Sequence, residues 1–124
     1  MIPKILIWIV SLFSITAMAQ CKSGIISENN KEFSKTISNK TVQIVDVRTP
    51  QEFADGHIPG AVNIDVNSDG FKSEIQKLDK TQPVAVYCRS GRRSKMAGNL
   101  LVKEGFTVHE LDNGFSEWDG ESVK

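Results

Sequence analysis

Two short apolar runs constrain this chain most: TVQIVDV over residues 41–47 and PVAVY over residues 83–87. Both are rich in β-branched residues, and both read as strands covered on two faces. Each is followed by a helical pattern, not by a hairpin turn and a second strand. Strands separated by helices pair in parallel through right-handed crossovers. The expected class is therefore α/β, with ligands bound outside the carboxyl ends of the strands.

The remaining elements fit around these two strands. Residues 24–26 read as a short first strand. Ser27 is placed to cap a helix over residues 28–38, with Phe33 and Ile37 on one face. Thr49 and Pro50 open a short helix through Phe53 and Ala54, since proline suits the first helical turn. Gly56, Pro59 and Gly60 break that helix, and residues 61–64 form a brief strand. Asp69 and Gly70 make a turn before a helix over residues 71–78. Residues 92–104 are helical, with Met96, Leu100 and Leu101 expected inward, and Gly105 ends the helix. Residues 106–111 read as the last strand, at an apparent sheet edge, and residues 115–118 as a final turn. The sequence holds no internal repeat and no low-complexity segment.

The first residues are set aside from the fold. Lys4 precedes an apolar run over residues 5–17, and Ala17-Met18-Ala19 follows as a small-x-small pattern. This is the layout of a secretory signal peptide over residues 1–19. The run is shorter than the ~20 residues a transmembrane helix requires. Cys21 offers a second exit from the leader, because a cysteine just past an apolar stretch resembles a bacterial lipidation site. Gln20 stands where a small residue precedes that cysteine, which favours cleavage after Ala19. Both routes put the domain outside the cytoplasm, in the periplasm or on a membrane as a lipoprotein. Residues 20–24 read as a tether, and residues 25–120 as one domain.

Composition narrows the partners. Lys and Arg number 15 against 15 Asp and Glu, and loss of Lys4 with the leader leaves a net charge of −1. Nothing in that balance suggests nucleic acid. Contact with a membrane would require lipidation of Cys21 or an uncleaved leader. The only cysteines are Cys21 and Cys88, so no disulfide framework is expected. No metal-ligand spacing of Cys and His, no phosphate-binding Gly-Lys-Ser/Thr loop and no dinucleotide fingerprint is present.

The chemistry concentrates at Cys88. It follows PVAVY directly and precedes Arg89-Ser90-Gly91-Arg92-Arg93-Ser94 and a helix. A tight loop feeding a helix N-terminus turns backbone N–H groups inward into an anion cradle. The helix terminus and Arg89, Arg92 and Arg93 are expected to favour a thiolate over a thiol. Gly91 is expected where the loop must close without a Cβ. Three arginines and a glycine within five residues set Cys88 apart from an inert buried cysteine.

Three blocks resemble the single-domain rhodaneses. Asp46-Val47-Arg48 through Glu52-Phe53 and Gly56-His57-Ile58-Pro59-Gly60-Ala61 resembles the family's N-terminal signature. Tyr87 through Ser94 resembles its active-site loop, and LDNGFSEW over residues 111–118 its C-terminal motif, with Asn113 where a Gly is frequent. The resemblance spans roughly residues 25–118. It implies a three-layer fold with a central five-stranded parallel sheet flanked by helices. It implies a sulfurtransferase in which Cys88 accepts sulfane sulfur from a donor such as thiosulfate. Cyanide or a thiol, or a sulfur-accepting protein, would then take that sulfur, and no cofactor is required. Residues 89–93 would bind the small anionic donor.

Supporting residues are weighed beside this. Asp46 is expected to brace loop backbone or Arg48, because a buried carboxylate needs hydrogen bonds or a cation. Arg48 and Glu52, four apart, are expected to pair. His57 is read as a turn residue, not as a catalytic base, and His109 is given no role. Phe115 and Trp118 would wall the pocket or finish the core. Three rival readings remain. One is a phosphatase or arsenate reductase of related fold, one a non-enzymatic persulfide carrier, and one a thiol redox protein using the same cysteine. Loop length counts against the first. Phosphatase-like loops place arginine six after the cysteine, and here that place is Ser94, with Arg93 one earlier.

Overall fold

The computed structural model describes residues 24–124. The leader assigned to residues 1–19, Cys21 and all of the tether but Gly24 lie outside the described residues. Five strands form one parallel sheet: β1 (Ile26–Glu28), β2 (Gln43–Asp46), β3 (Val62–Asn63), β4 (Val84–Tyr87) and β5 (Val108–Leu111). Their order is β1-β5-β4-β2-β3. Four helices connect them: α1 (Asn30–Ile37), α2 (Pro50–Asp55), α3 (Phe71–Ile75) and α4 (Arg92–Lys103). A 3₁₀ turn (Phe115–Glu117) follows β5.

The central strand β4 is buried at all four positions, because side chains alternate between two covered faces. Val84 and Val86 point into a cluster with Val45, Phe71, Ile75, Ala97 and Leu101, under α3 and α4. Ala85 and Tyr87 point the other way, to Phe33 of α1, Ile58 and Leu111. Phe33 and Tyr87 meet edge to face at 6.5 Å. Full burial of a side chain like Phe33 stabilises the fold by about 2–3 kcal/mol.

Four local expectations change. Asn29, not Ser27, caps α1: its side chain accepts from Glu32 N–H while Glu32 returns the bond. Ser27 lies within β1 and cannot also hold a cap. Met96 is about half exposed: Ala97 and Leu101 carry the buried stripe of α4, and Met96 falls outside it. β5 is an inner strand, since β1 crosses over to pair with its far side, so His109 is not at an edge. The helix over residues 71–78 shortens to α3.

Candidate active site

Cys88 follows β4 at its carboxyl end, and α4 begins four residues later. The short loop between them is closed by two glycines in the left-handed region. Gly91 has φ 98° and lies so close to β5 that a Cβ would sit 2.1 Å from the Asp112 carbonyl oxygen. Gly114, φ 77°, likewise abuts the backbone of Arg89 and Ser90. Phe115 N–H donates to Cys88 O at 2.8 Å and Ser116 N–H to Arg89 O at 3.0 Å. The Cys88 and Arg89 carbonyls are thus taken from outside, and the Gly91 N–H faces the sulfur.

Cys88 itself is 1% exposed. Gly91 N–H donates to its Sγ at 3.1 Å, and Ser94 Oγ lies 3.5 Å away. Burial pushes the thiol up. Hydrogen bonding with Ser94, Gly91 and Ser90 outweighs it, so Cys88 stays below its ordinary value. The leading causes of that lowering are these hydrogen bonds, not the arginines expected to act here. Arg89 and Arg92 are exposed and form no ion pair among the described residues. Arg93 donates two bonds to Glu52, at 2.7 and 2.9 Å.

Glu52 therefore does not pair with Arg48. It closes the capping box of α2 with Thr49, and the Arg93 hydrogen bonds hold its carboxyl down to about 2. Arg48 turns instead to Asp46, at 2.6 Å, and to the Gly56 carbonyl. Asp46 is wholly buried and braces Arg48 through both its side chain and its backbone N–H. The Arg48 guanidinium stacks over Phe115, 4.5 Å from the ring centroid. His57 lies flat on Phe53 at 3.7 Å, with Nδ1 2.8 Å from the Phe53 carbonyl oxygen. Trp118 packs edge to face on Phe33 and belongs to the core.

An open depression of about 320 Å³ beside the loop is lined by Arg48, Glu52, Asp55, Arg89, Phe115 and Ser116. Among the described residues no group of His, Cys, Asp and Glu is arranged to hold a metal ion. What the sequence reading missed lies beneath Cys88. Ser94 Oγ donates to Glu110 Oε2 at 2.6 Å, and Glu110 is fully buried. The available signal was Glu110 standing two residues after Val108, on the strand face that alternation assigns to the core.

The Rhodanese-like domain profile matches residues 29–121. The chain belongs to the rhodanese-like domain family. It is 41% identical over 80 residues to thiosulfate sulfurtransferase GlpE of Shewanella oneidensis, covering 64% of this chain and 77% of that protein. It is 36% identical over 88 residues to thiosulfate sulfurtransferase GlpE of Pseudomonas aeruginosa (strain LESB58), covering 70% and 78%. Among solved structures, a rhodanese-related protein from Thermoplasma volcanium superposes with a TM-score of 0.71 at 26% identity, covering 79% of this chain and 97% of that one. A rhodanese-like domain protein from Staphylococcus aureus gives 0.68 at 30% identity, covering 77% and 93%. This rhodanese-like domain thus has the five-stranded α/β architecture of its relatives, and those relatives support a sulfurtransferase-type enzyme.

Proposed function

We propose that the protein moves sulfane sulfur through a persulfide on Cys88. The Cys88 thiolate attacks the outer sulfur of a donor such as thiosulfate. A new S–S bond forms, the donor's S–S bond breaks, and sulfite leaves with the bonding electron pair. Cyanide or a thiolate then attacks the outer sulfur of the persulfide, and the electron pair returns to Cys88. Two easier displacements replace one hard transfer. Arg89 and Arg92, exposed at the rim, attract the dianionic donor. Backbone N–H groups around Cys88 steady the sulfur anion.

One observation carries this reading over oxyanion chemistry: Arg93, the nearest candidate for a phosphate-clamping guanidinium, is already bound two-pronged to Glu52. A cradle closed this tightly suits one added sulfur better than a phosphoryl tetrahedron. The names of the relatives point the same way. We place the protein outside the cytoplasm on the strength of residues 1–19, and N-terminal sequencing of the mature chain tests that placement.

Thiosulfate:cyanide turnover measured beside aryl phosphate hydrolysis tests the chemistry. Sulfur transfer is expected to dominate, and Cys88→Ser is expected to abolish it while circular dichroism stays native. Faster phosphate hydrolysis than sulfur transfer would overturn the reading, as would turnover by folded Cys88→Ser.

A further inference from the structure

The Ser94 hydroxyl stands between Cys88 and Glu110 and owns one proton. Three polar groups surround it. Glu110 Oε2 is at 2.6 Å, the Gly91 carbonyl oxygen at 3.1 Å and Cys88 Sγ at 3.5 Å. The buried carboxylate is the shortest and strongest claimant, because charge-assisted bonds of this kind are roughly twice as strong as neutral ones. With the proton on that side, Ser94 offers Cys88 a lone pair. A neutral thiol can donate to it, but a thiolate gains nothing from it. Glu110 also places negative charge on the inner side of the sulfur.

The groups facing Glu110 are few. From β1, Ser27 Oγ donates to Oε1 at 3.0 Å. From α4, Lys95 Nζ lies 3.3 Å from Oε2, but it is 47% exposed and is also shared with Asp112 at 3.0 Å. β4 presents Val86 at the paired register position. The His109–Glu28 pair belongs to the opposite face of the sheet, since neighbouring residues of a strand alternate. One half-exposed ammonium therefore answers two carboxylates before any thiolate is counted.

Sulfuration moves the charge. In the persulfide, Sγ is a neutral sulfur bonded to Cβ and to the outer sulfur, and the anion resides on that outer atom. A donor reaches Cys88 from solvent, whereas Ser94 and Glu110 lie on the interior side, both wholly buried. The outer sulfur must therefore stand farther from Glu110 than Sγ does.

We propose that Glu110 is a positioning residue which, by holding the Ser94 proton, disfavours the bare Cys88 thiolate relative to the Cys88 persulfide and so biases the site toward its loaded state. The inference rests on Cys88 carrying sulfane sulfur. It assigns Glu110 to retention of the cargo, not to either displacement.

The test compares wild type, Glu110→Gln and Ser94→Ala in two measurements. The first is the rate of Cys88 alkylation by iodoacetamide against pH. The second is the loaded fraction, read by intact mass, in a buffer of glutathione and its persulfide. Glu110→Gln should lower the alkylation midpoint by about one pH unit and, in buffer above both midpoints, reduce the loaded-to-unloaded ratio up to about tenfold. Ser94→Ala should not raise the midpoint, because its proton was never given to Cys88. An unchanged or raised midpoint in Glu110→Gln would overturn the proposal. So would a lowered midpoint with an unchanged loaded ratio, since Glu110 would then act on both sulfur states alike. Should Glu110→Gln fail to fold, a midpoint raised by a unit in Ser94→Ala would alone overturn it, by showing Ser94 as donor to the sulfur. Neither measurement uses thiosulfate. A protein that exchanges with glutathione persulfide but takes no sulfur from thiosulfate would refute the donor reading above and leave Glu110 in its role.

Discussion

Arg93 and Ser94 are neighbours in the first turn of α4, yet they anchor the cysteine loop to opposite sides. Arg93 reaches outward to Glu52 at the start of α2, with both side chains about a quarter exposed. Ser94 points inward to Glu110, with no exposure on either side. One residue of helix turns the side chain by about 100°, and that rotation changes the dielectric around otherwise similar chemistry. The outer pair is screened by water and holds shape. The inner pair is unscreened, so its hydrogen-bond direction decides which state of the sulfur is comfortable.

The largest effect should come from breaking both anchors together. Gly91→Ala puts a Cβ into the Asp112 carbonyl at a positive φ. The loop backbone must then shift, at a cost of roughly 2–4 kcal/mol of stability and with most of the sulfur transfer. Chemical denaturation read beside activity checks this. Native stability with full turnover would mean that the loop does not need its close approach to β5.

A smaller effect separates the outer anchor from the inner one. Arg93→Gln removes a cation near Cys88 and leaves Glu52 unpaired. It should raise the alkylation midpoint of Cys88 and weaken thiosulfate use about fivefold, equivalent to about 1 kcal/mol. The double variant Arg93→Gln with Glu52→Gln should recover most of that loss, since the outer pair is neutral as a unit. Failure of the double variant to recover would show that Arg93 meets the donor directly.

The smallest effect is on acid stability. Glu52 has its carboxyl depressed to about 2 from about 4.5. A depressed carboxyl contributes stability that is fully present above the unfolded value and is lost as pH falls through the folded one. The loss therefore falls between about pH 4.5 and pH 2. Screening limits it to about 1 kcal/mol. Thermal melts of Glu52→Gln against wild type should differ above that window and converge below it. A difference that persists undiminished at pH 2 would place the contribution elsewhere.

The strands and the reactive loop were legible because their signals are local. PVAVY followed by a cysteine, and arginines gathered around Gly91, need no tertiary information. The pairings were not legible, because they depend on which elements the topology brings together. Arg48 and Glu52 share a helical spacing, yet Arg48 is drawn to Asp46 at the end of its own strand. Arg93 then takes Glu52 across 41 residues of chain. Glu110 was missed for the same reason. Its meaning depends on α4 packing over β5 and on β1 crossing to cover the strand's far side. The place of His109 within the sheet turned on that same crossover.

Whether Cys88 carries sulfur is tested most directly by intact mass spectrometry of the reduced protein after brief exposure to thiosulfate. A gain of ~32 Da, reversed by cyanide and absent in Cys88→Ser, is the expected result for a persulfide on a reactive cysteine. An unmodified mass in wild type, or the same gain in folded Cys88→Ser, would contradict it.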